Sequence, residues 1–189
     1  PIKASAASDV YKRQVVGRAG ADNHEKFIGF AGEEFGLLGA QAWVKAHKDK
    51  LPKIANLFNR DGGPEPPVGI SVPQAMYDDF VKISEPIQKI RPDYPFEVKV
   101  REPRKRPTRM GGTDASVFAI EGVPTLGFTT EDFKGYDFDY GEIWHTERDL
   151  YTKNIPEYQE HTATVTAIIA LGVANLDKQL SREGLYTEE

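Results

Sequence analysis

Four side chains in this sequence have the chemistry of a site: the adjacent carboxylates Glu33 and Glu34 in FIGFAGEEFG, Asp61 in FNRDGG and His145 in IWHTERD. Burying one carboxylate is costly and burying two neighbours costs more, so the Glu pair is either a solvated corner or part of a site with its own countercharge. Glu34, Asp61 and His145 offer hard oxygen donors and one borderline nitrogen, a combination that suits zinc where thiolates are absent. The chain has no cysteine, so any metal must be held by His, Asp and Glu. Glu33 would then stand free beside the metal, as a base toward water whose pKa a cation lowers to about 7. Each residue also has a plainer use. A Glu pair ahead of a helix satisfies the helix's positive end, Asp before two glycines suits a turn, and most histidines bind no metal.

The elements that must position these groups alternate between strand and helix. Residues 26–31 read as a short strand rich in β-favouring residues, and 36–47 as a helix with Leu37, Ala40 and Val44 at helical spacing. PKIANLFN, 52–59, reads as a second apolar strand, followed by the Gly/Pro loop GGPEPP and a helix over 74–90. FEVKV at 96–100 alternates like a half-exposed strand, 115–120 is a short helix, VPTLGF at 123–128 a buried strand, and 156–180 the last helix. This order predicts an α/β layered sheet, with functional loops at the carboxyl ends of strands. Glu33 and Glu34 end the first strand, Asp61 the second, and His145 follows the VPTLGF strand. Neighbours on an extended strand point to opposite faces, so both glutamates can serve one site only if the backbone bends. Gly32 and Gly36 permit that bend.

Composition sets the outer bounds. At 189 residues with 39% hydrophobic content, the chain can bury a core as one domain or most of one. A net charge of -5, from 29 acids and 24 bases, gives no general attraction to nucleic acid or to an anionic membrane. No run of about eighteen apolar residues suggests a membrane span, and no signal segment is visible. The first fourteen residues, PIKASAASDVYKRQ, lack a clean period and read as a non-native or disordered leader.

FIGFAGEEFGLLGAQAW resembles the segment around the paired glutamates of co-catalytic zinc aminopeptidases, peptidase family M28. FNRDGG is similar to that family's Asn-x-Asp segment, and GGTDASVFAIEGVPTLGF with WHTERDLYTKNIPEY to its carboxyl-terminal signature. The resemblance covers residues 26 to the end of the last helix. It implies a three-layer αβα sandwich over a mostly parallel mixed sheet, truncated at its N-terminus, with 15–189 a partial zinc-peptidase catalytic domain. By position it implies Glu33 as general base, Glu34 and His145 as ligands of one zinc and Asp61 of a second, in an enzyme releasing N-terminal residues from peptide substrates. Secretion or a periplasmic location is expected on the same ground. The family also uses a His and a bridging Asp upstream of the paired-glutamate strand, and no His-x-Asp precedes it here. His24 and Asp22 are expected to face solvent in the turn before that strand. Without the bridging carboxylate each metal keeps few protein ligands, so this chain is expected to lack full activity. Arg60, where the family usually has an apolar residue, is a smaller departure.

Other residues have two readings each. Asp114 in GGTD and Asp149, four residues after His145, suit acceptors that orient a ligand, or ordinary turn and cap roles. Tyr136 and Tyr140 of YDFDY could line a substrate pocket or pack a surface loop. The basic run REPRKRPTR, 101–109, suggests a carboxylate clamp or nucleic acid, but Pro103 and Pro107 break it and a solvated loop is the simpler expectation. A glutaminyl cyclase-like acyltransferase with a single zinc, and a non-catalytic binding domain, are the alternatives to a peptidase.

Overall fold

The central strand of the sheet, β1 (Pro67–Val72), starts on the last residue of the predicted Gly/Pro loop and runs through residues given no element in the sequence reading. The computed structural model of the chain describes residues 26–187; the leader at 1–14, with Asp22 and His24, lies outside them. Pro67 is tolerated because it is the strand's first residue, where a missing N–H costs least. Beyond it Ile70 and Val72 are buried, which is what fixes the register.

β2 (Glu97–Val100) pairs with β1 in parallel, Ile70 opposite Val98. β3 (Phe128–Thr130) pairs on the other side antiparallel, Ile70 opposite Phe128, with an irregularity between Pro67 and Gly69. The sheet of the described residues is therefore mixed, in the order β2-β1-β3, with one parallel and one antiparallel pairing.

Helices α1 (Leu38–Ala46), α2 (Tyr77–Ile90), α3 (Ala115–Ile120), α4 (Tyr140–Ile143) and α5 (Pro156–Ala174) complete the α/β architecture. Phe80, Ile83 and Ile87 of α2 and Val165 and Ile169 of α5 close over Ile70, Val72 and Leu126 to form the main core. The two helices cross so tightly at Gly172 that a Cβ there would sit 2.3 Å from Ile83 Cγ2. A second core packs Ala40 and Val44 of α1 against Val117 and Phe118 of α3, with Leu37, Leu51 and Val123. It ties the start of α1 to the start of α3, two chain corners far apart in sequence.

Three predicted strands differ from the observed ladder. Residues 26–31 are extended without a ladder partner among the described residues, and the start of α1 folds back on them through Gly39 N to Ala31 O at 2.8 Å. Pro52 falls inside a 3-10 turn, Lys48–Lys53, leaving 54–60 extended. That segment lies beside 123–127 through Leu57 N to Pro124 O (2.9 Å) and a two-way bond in which the Asn56 amide caps the Leu126 backbone. The amide side chain replaces ladder bonds, which is why neither apolar run is a strand. The last helix stops at Ala174 rather than 180, and Leu180 still packs into the main core.

Candidate metal and catalytic site

Glycines build the GEEFG corner. Gly32 (φ 68°) and Gly36 (φ 102°) both occupy the left-handed region, where a side chain would be strained. Between them Glu33 O accepts from Gly36 N at 3.0 Å and from Leu37 N at 2.9 Å, and Leu38 N donates to Gly32 O at 3.1 Å. The backbone thus bends between extended segment and helix, as the glycine spacing requires. Helix α1 begins only at Leu38 because Leu37 itself has φ 60°.

The bend brings two of the predicted groups into contact. Glu34 Oε2 lies 3.1 Å from His145 Nε2. Desolvation raises the half-buried Glu33 carboxyl above its ordinary value; the charges of Asp61, Glu34 and Asp114 push it the same way, and His145 opposes them. His145 sits at φ 56°, a conformation that costs on the order of 1 kcal/mol and persists where surrounding structure holds it. It follows α4, whose N-cap Asp139 accepts from Gly141 N at 2.8 Å, and its ring lies against Trp144 with centroids 4.6 Å apart.

Asp61 is exposed at the tip of its loop, which Arg60 braces by donating to Gly63 O and, at 2.7 Å, to Glu65 O. This gives Arg60 a structural task at the position where it departs from the family pattern. Gly63 rests against the YDFDY loop: a Cβ there would lie 2.6 Å from the Phe138 ring and 3.1 Å from Tyr140. Tyr140 is thus beside the Asp61 loop, whereas Tyr136 turns away and donates its hydroxyl to Glu157. Tyr136 lines a separate pocket of about 550 Å³ with Phe138, Glu142 and Glu157.

Asp114 occupies the N-cap position of α3 but makes no cap hydrogen bond. It is 9% exposed, and its Oδ1 has no partner. Burial, then the charge of Asp61, raises its carboxyl above the ordinary range. Asp149 lies in the exposed turn after His145, its backbone N–H bonded to Thr146 O at 3.3 Å, with no side-chain partner among the described residues. The sequence reading missed Phe35 and Trp144, exposed by 83% and 57% beside Glu34 and His145. Their signal was present: large apolar residues adjacent to metal-type donors that do not join the apolar spacing of any helix.

In donor type the set fits zinc: an imidazole and several carboxylates, with no thiolate. The Glu34–His145 separation suits two donors sharing one ion at bond lengths of roughly 2.0–2.2 Å. Among the described residues no three His, Asp or Glu side chains come close enough to hold an ion by themselves. The fit is therefore to two donors of a site with further positions open, and the unpartnered Asp114 Oδ1 lies on the same negatively charged side.

Among solved structures, the chain is similar to a Peptidase M28 precursor from Shewanella amazonensis, with TM-score 0.64, 22% identity, and 92% of this chain covering 38% of that one. It is also similar to BSAP, a zinc aminopeptidase from Bacillus subtilis, with TM-score 0.64, 16% identity, and 95% of this chain covering 43% of that one. At such identities these likenesses establish the α/β fold alone, and the chain spans about two fifths of the length of each. No curated protein matches the chain. No helix of the described residues is long and apolar enough to cross a membrane. The sequence model of Peptidase family M28 matches residues 11–169, a span that contains the GEEFG corner, Asp61, Asp114 and His145, and by that match the chain belongs to peptidase family M28.

Proposed function

We propose that this chain carries part of the active site of a zinc-dependent exopeptidase of the aminopeptidase type, acting on peptides outside the cytoplasm. The observation that carries the reading is the convergence of Glu34 and His145 at 3.1 Å beside Glu33 and Asp61. Glu34 and His145 would hold one zinc, and Asp61 would contribute to a second. When bound, zinc polarises the scissile carbonyl and makes water easier to deprotonate.

Glu33 is the residue left to move protons. It is next to a ligand without being one, and it would take a proton from the attacking water and deliver it to the leaving amine. Phe35 and Trp144, both exposed beside Glu34 and His145 in the chain, would offer a substrate side chain apolar contact.

The test is Glu33→Gln in the protein that carries this chain. Turnover of an N-terminal amide substrate should fall by about 10²–10⁴-fold, with zinc content by elemental analysis nearly unchanged, whereas His145→Ala should lower zinc content. Unchanged turnover in Glu33→Gln would refute the assignment. Release of ammonia from N-terminal glutamine peptides without hydrolysis would instead mark an acyltransferase.

A further inference from the structure

The basic run REPRKRPTR finds no use in the peptidase site, and it is not a free loop. Its first four residues are pinned: Arg101 N donates to Val72 O at 2.8 Å at the end of β1, and Thr187 N donates to Arg104 O at 2.9 Å. Arg104 and Tyr186 form a parallel bridge. Between this loop, the 125–129 segment and the 185–186 segment lies a cleft of about 560 Å³, into which Arg101, Arg104 and Lys105 face alongside Leu126, Phe128 and Tyr186.

Among the described residues no carboxylate lines the cleft. The Arg101 guanidinium donates only to carbonyls, Glu102 O at 3.2 Å and Leu185 O at 3.4 Å. Arg104 and Lys105 make no side-chain hydrogen bond or ion pair among the described residues. Arg106 and Arg182 add to the field: together with Arg101 and Arg104 they place four guanidinium charges around the Tyr186 phenol. In a chain with net charge -5, this is a local positive field inside a low-dielectric wall, which concentrates anions. Unpaired like charges held together by a fixed backbone repel one another, and an anion relieves that repulsion.

We propose that this cleft binds a small organic anion, a carboxylate or a phosphate carrying an apolar body. The volume lies within the range of small-molecule sites, roughly 300–1,000 Å³. Guanidinium groups bind planar carboxylates and phosphates in fork geometry, and Leu126, Phe128 and the Tyr186 ring offer the apolar part its contact. A nucleic-acid strand fits less well, because the charges face one cleft rather than a continuous stripe. The site is separate from the GEEFG corner. Helix α3 lies between them, with Asp114 at its start and Ala119, near its end, on the cleft wall.

Calorimetric titration of the full chain with phenyl phosphate, phthalate and inorganic phosphate tests this, in parallel with Arg104→Glu, Lys105→Glu and Arg109→Glu. Arg109 belongs to the same basic run but does not line the cleft. Arg104→Glu should weaken binding of the preferred aromatic anion by about tenfold or more, and Arg109→Glu should leave it within about twofold, as expected for an exposed charge away from the contact. Phenyl phosphate binding above phthalate assigns a phosphate, the reverse order a carboxylate, and inorganic phosphate should bind more weakly than either. Lys105 is exposed, so its variant keeps the test intact should Arg104→Glu unfold, as judged by circular dichroism. Absence of binding by all three probes, or equal weakening in the Arg109→Glu control, overturns the proposal.

Discussion

His161 should make this protein lose stability between pH 6.5 and 4 by an amount that can be worked from its surroundings. The residue is fully buried on α5, stacked on Tyr94 with ring centroids 3.9 Å apart and planes 15° from parallel. Its Nε2 is 3.0 Å from Pro67 O. A carbonyl only accepts, so Nε2 carries the hydrogen and Nδ1 holds a lone pair. Nδ1 is buried with no partner, and protonation would place an N–H there with nothing to receive it. Burial is the main cause that lowers the imidazole to about 4; the cations Arg91 and Lys134 act in the same direction, while the Pro67 carbonyl and Asp93 oppose.

The sign follows from which state refuses the proton. The unfolded chain takes it near the ordinary 6.5 and the folded one only near 4, so stability is full above 6.5 and falls as pH drops toward 4. The gap corresponds to roughly 3 kcal/mol, of which about 2.5 kcal/mol has gone by pH 4.5. Against a total of about 5–15 kcal/mol this is a large share. Urea unfolding at pH 7.5, 6.0, 5.0 and 4.5, repeated on His161→Gln, isolates the contribution, because Gln can still donate to Pro67 O but cannot titrate. Wild type should fall toward the variant by about 2.5 kcal/mol over that range. Parallel curves, or an imidazole that titrates near 6.5 by NMR, would refute the reasoning.

Two further perturbations probe other parts of the fold. Glu157 receives Tyr94, Tyr136 and Lys134, whose bonds lower its carboxyl to about 2; its contribution is present above 4.5 and lost as pH falls toward 2, so Glu157→Gln should flatten the acid limb of a thermal-melt series below 4.5 and leave the His161 window unchanged. Gly172→Ala would put a methyl 2.3 Å from Ile83 Cγ2 and should cost about 1–3 kcal/mol by overpacking, read as a lower melting temperature that Ile83→Val partly restores.

What the sequence made legible was local. The GEEFG corner could be read because the glycines flank the carboxylates at the positions where the backbone must turn, and the helix α2 because Phe80, Ile83 and Ile87 repeat at its period. β1 was hidden because Pro66 and Pro67 look like loop, and only burial on both sides identifies PVGISV as the sheet's centre. The Asn56 bridge to Leu126 and the cluster on Glu157 were hidden for another reason: their partners lie 70 and up to 63 residues apart, and no spacing rule reaches that far. The contact of Glu34 with His145 crosses a longer gap still; donor chemistry groups the two residues in the sequence, but no spacing rule joins them.

Charge distribution links the two sites. Around the GEEFG corner the charges of Glu34, Asp61 and Asp114 act on Glu33 with His145 opposing, and Arg60, next to Asp61 in the chain, is occupied with the carbonyls of Gly63 and Glu65. Glu33 and Asp114 are both raised for that reason as well as by burial. Beyond α3 the arginines gather without a carboxylate among the described residues that line the cleft. The fold thus keeps apart charges that could have neutralised one another across a helix of six residues. Separation of this kind costs stability in the empty protein through like-charge repulsion, and it is recovered when each site meets an ion of opposite sign. A cation at the acidic corner would offset the repulsion among its carboxylates, and an anion at the basic cleft would do the same for its guanidinium groups.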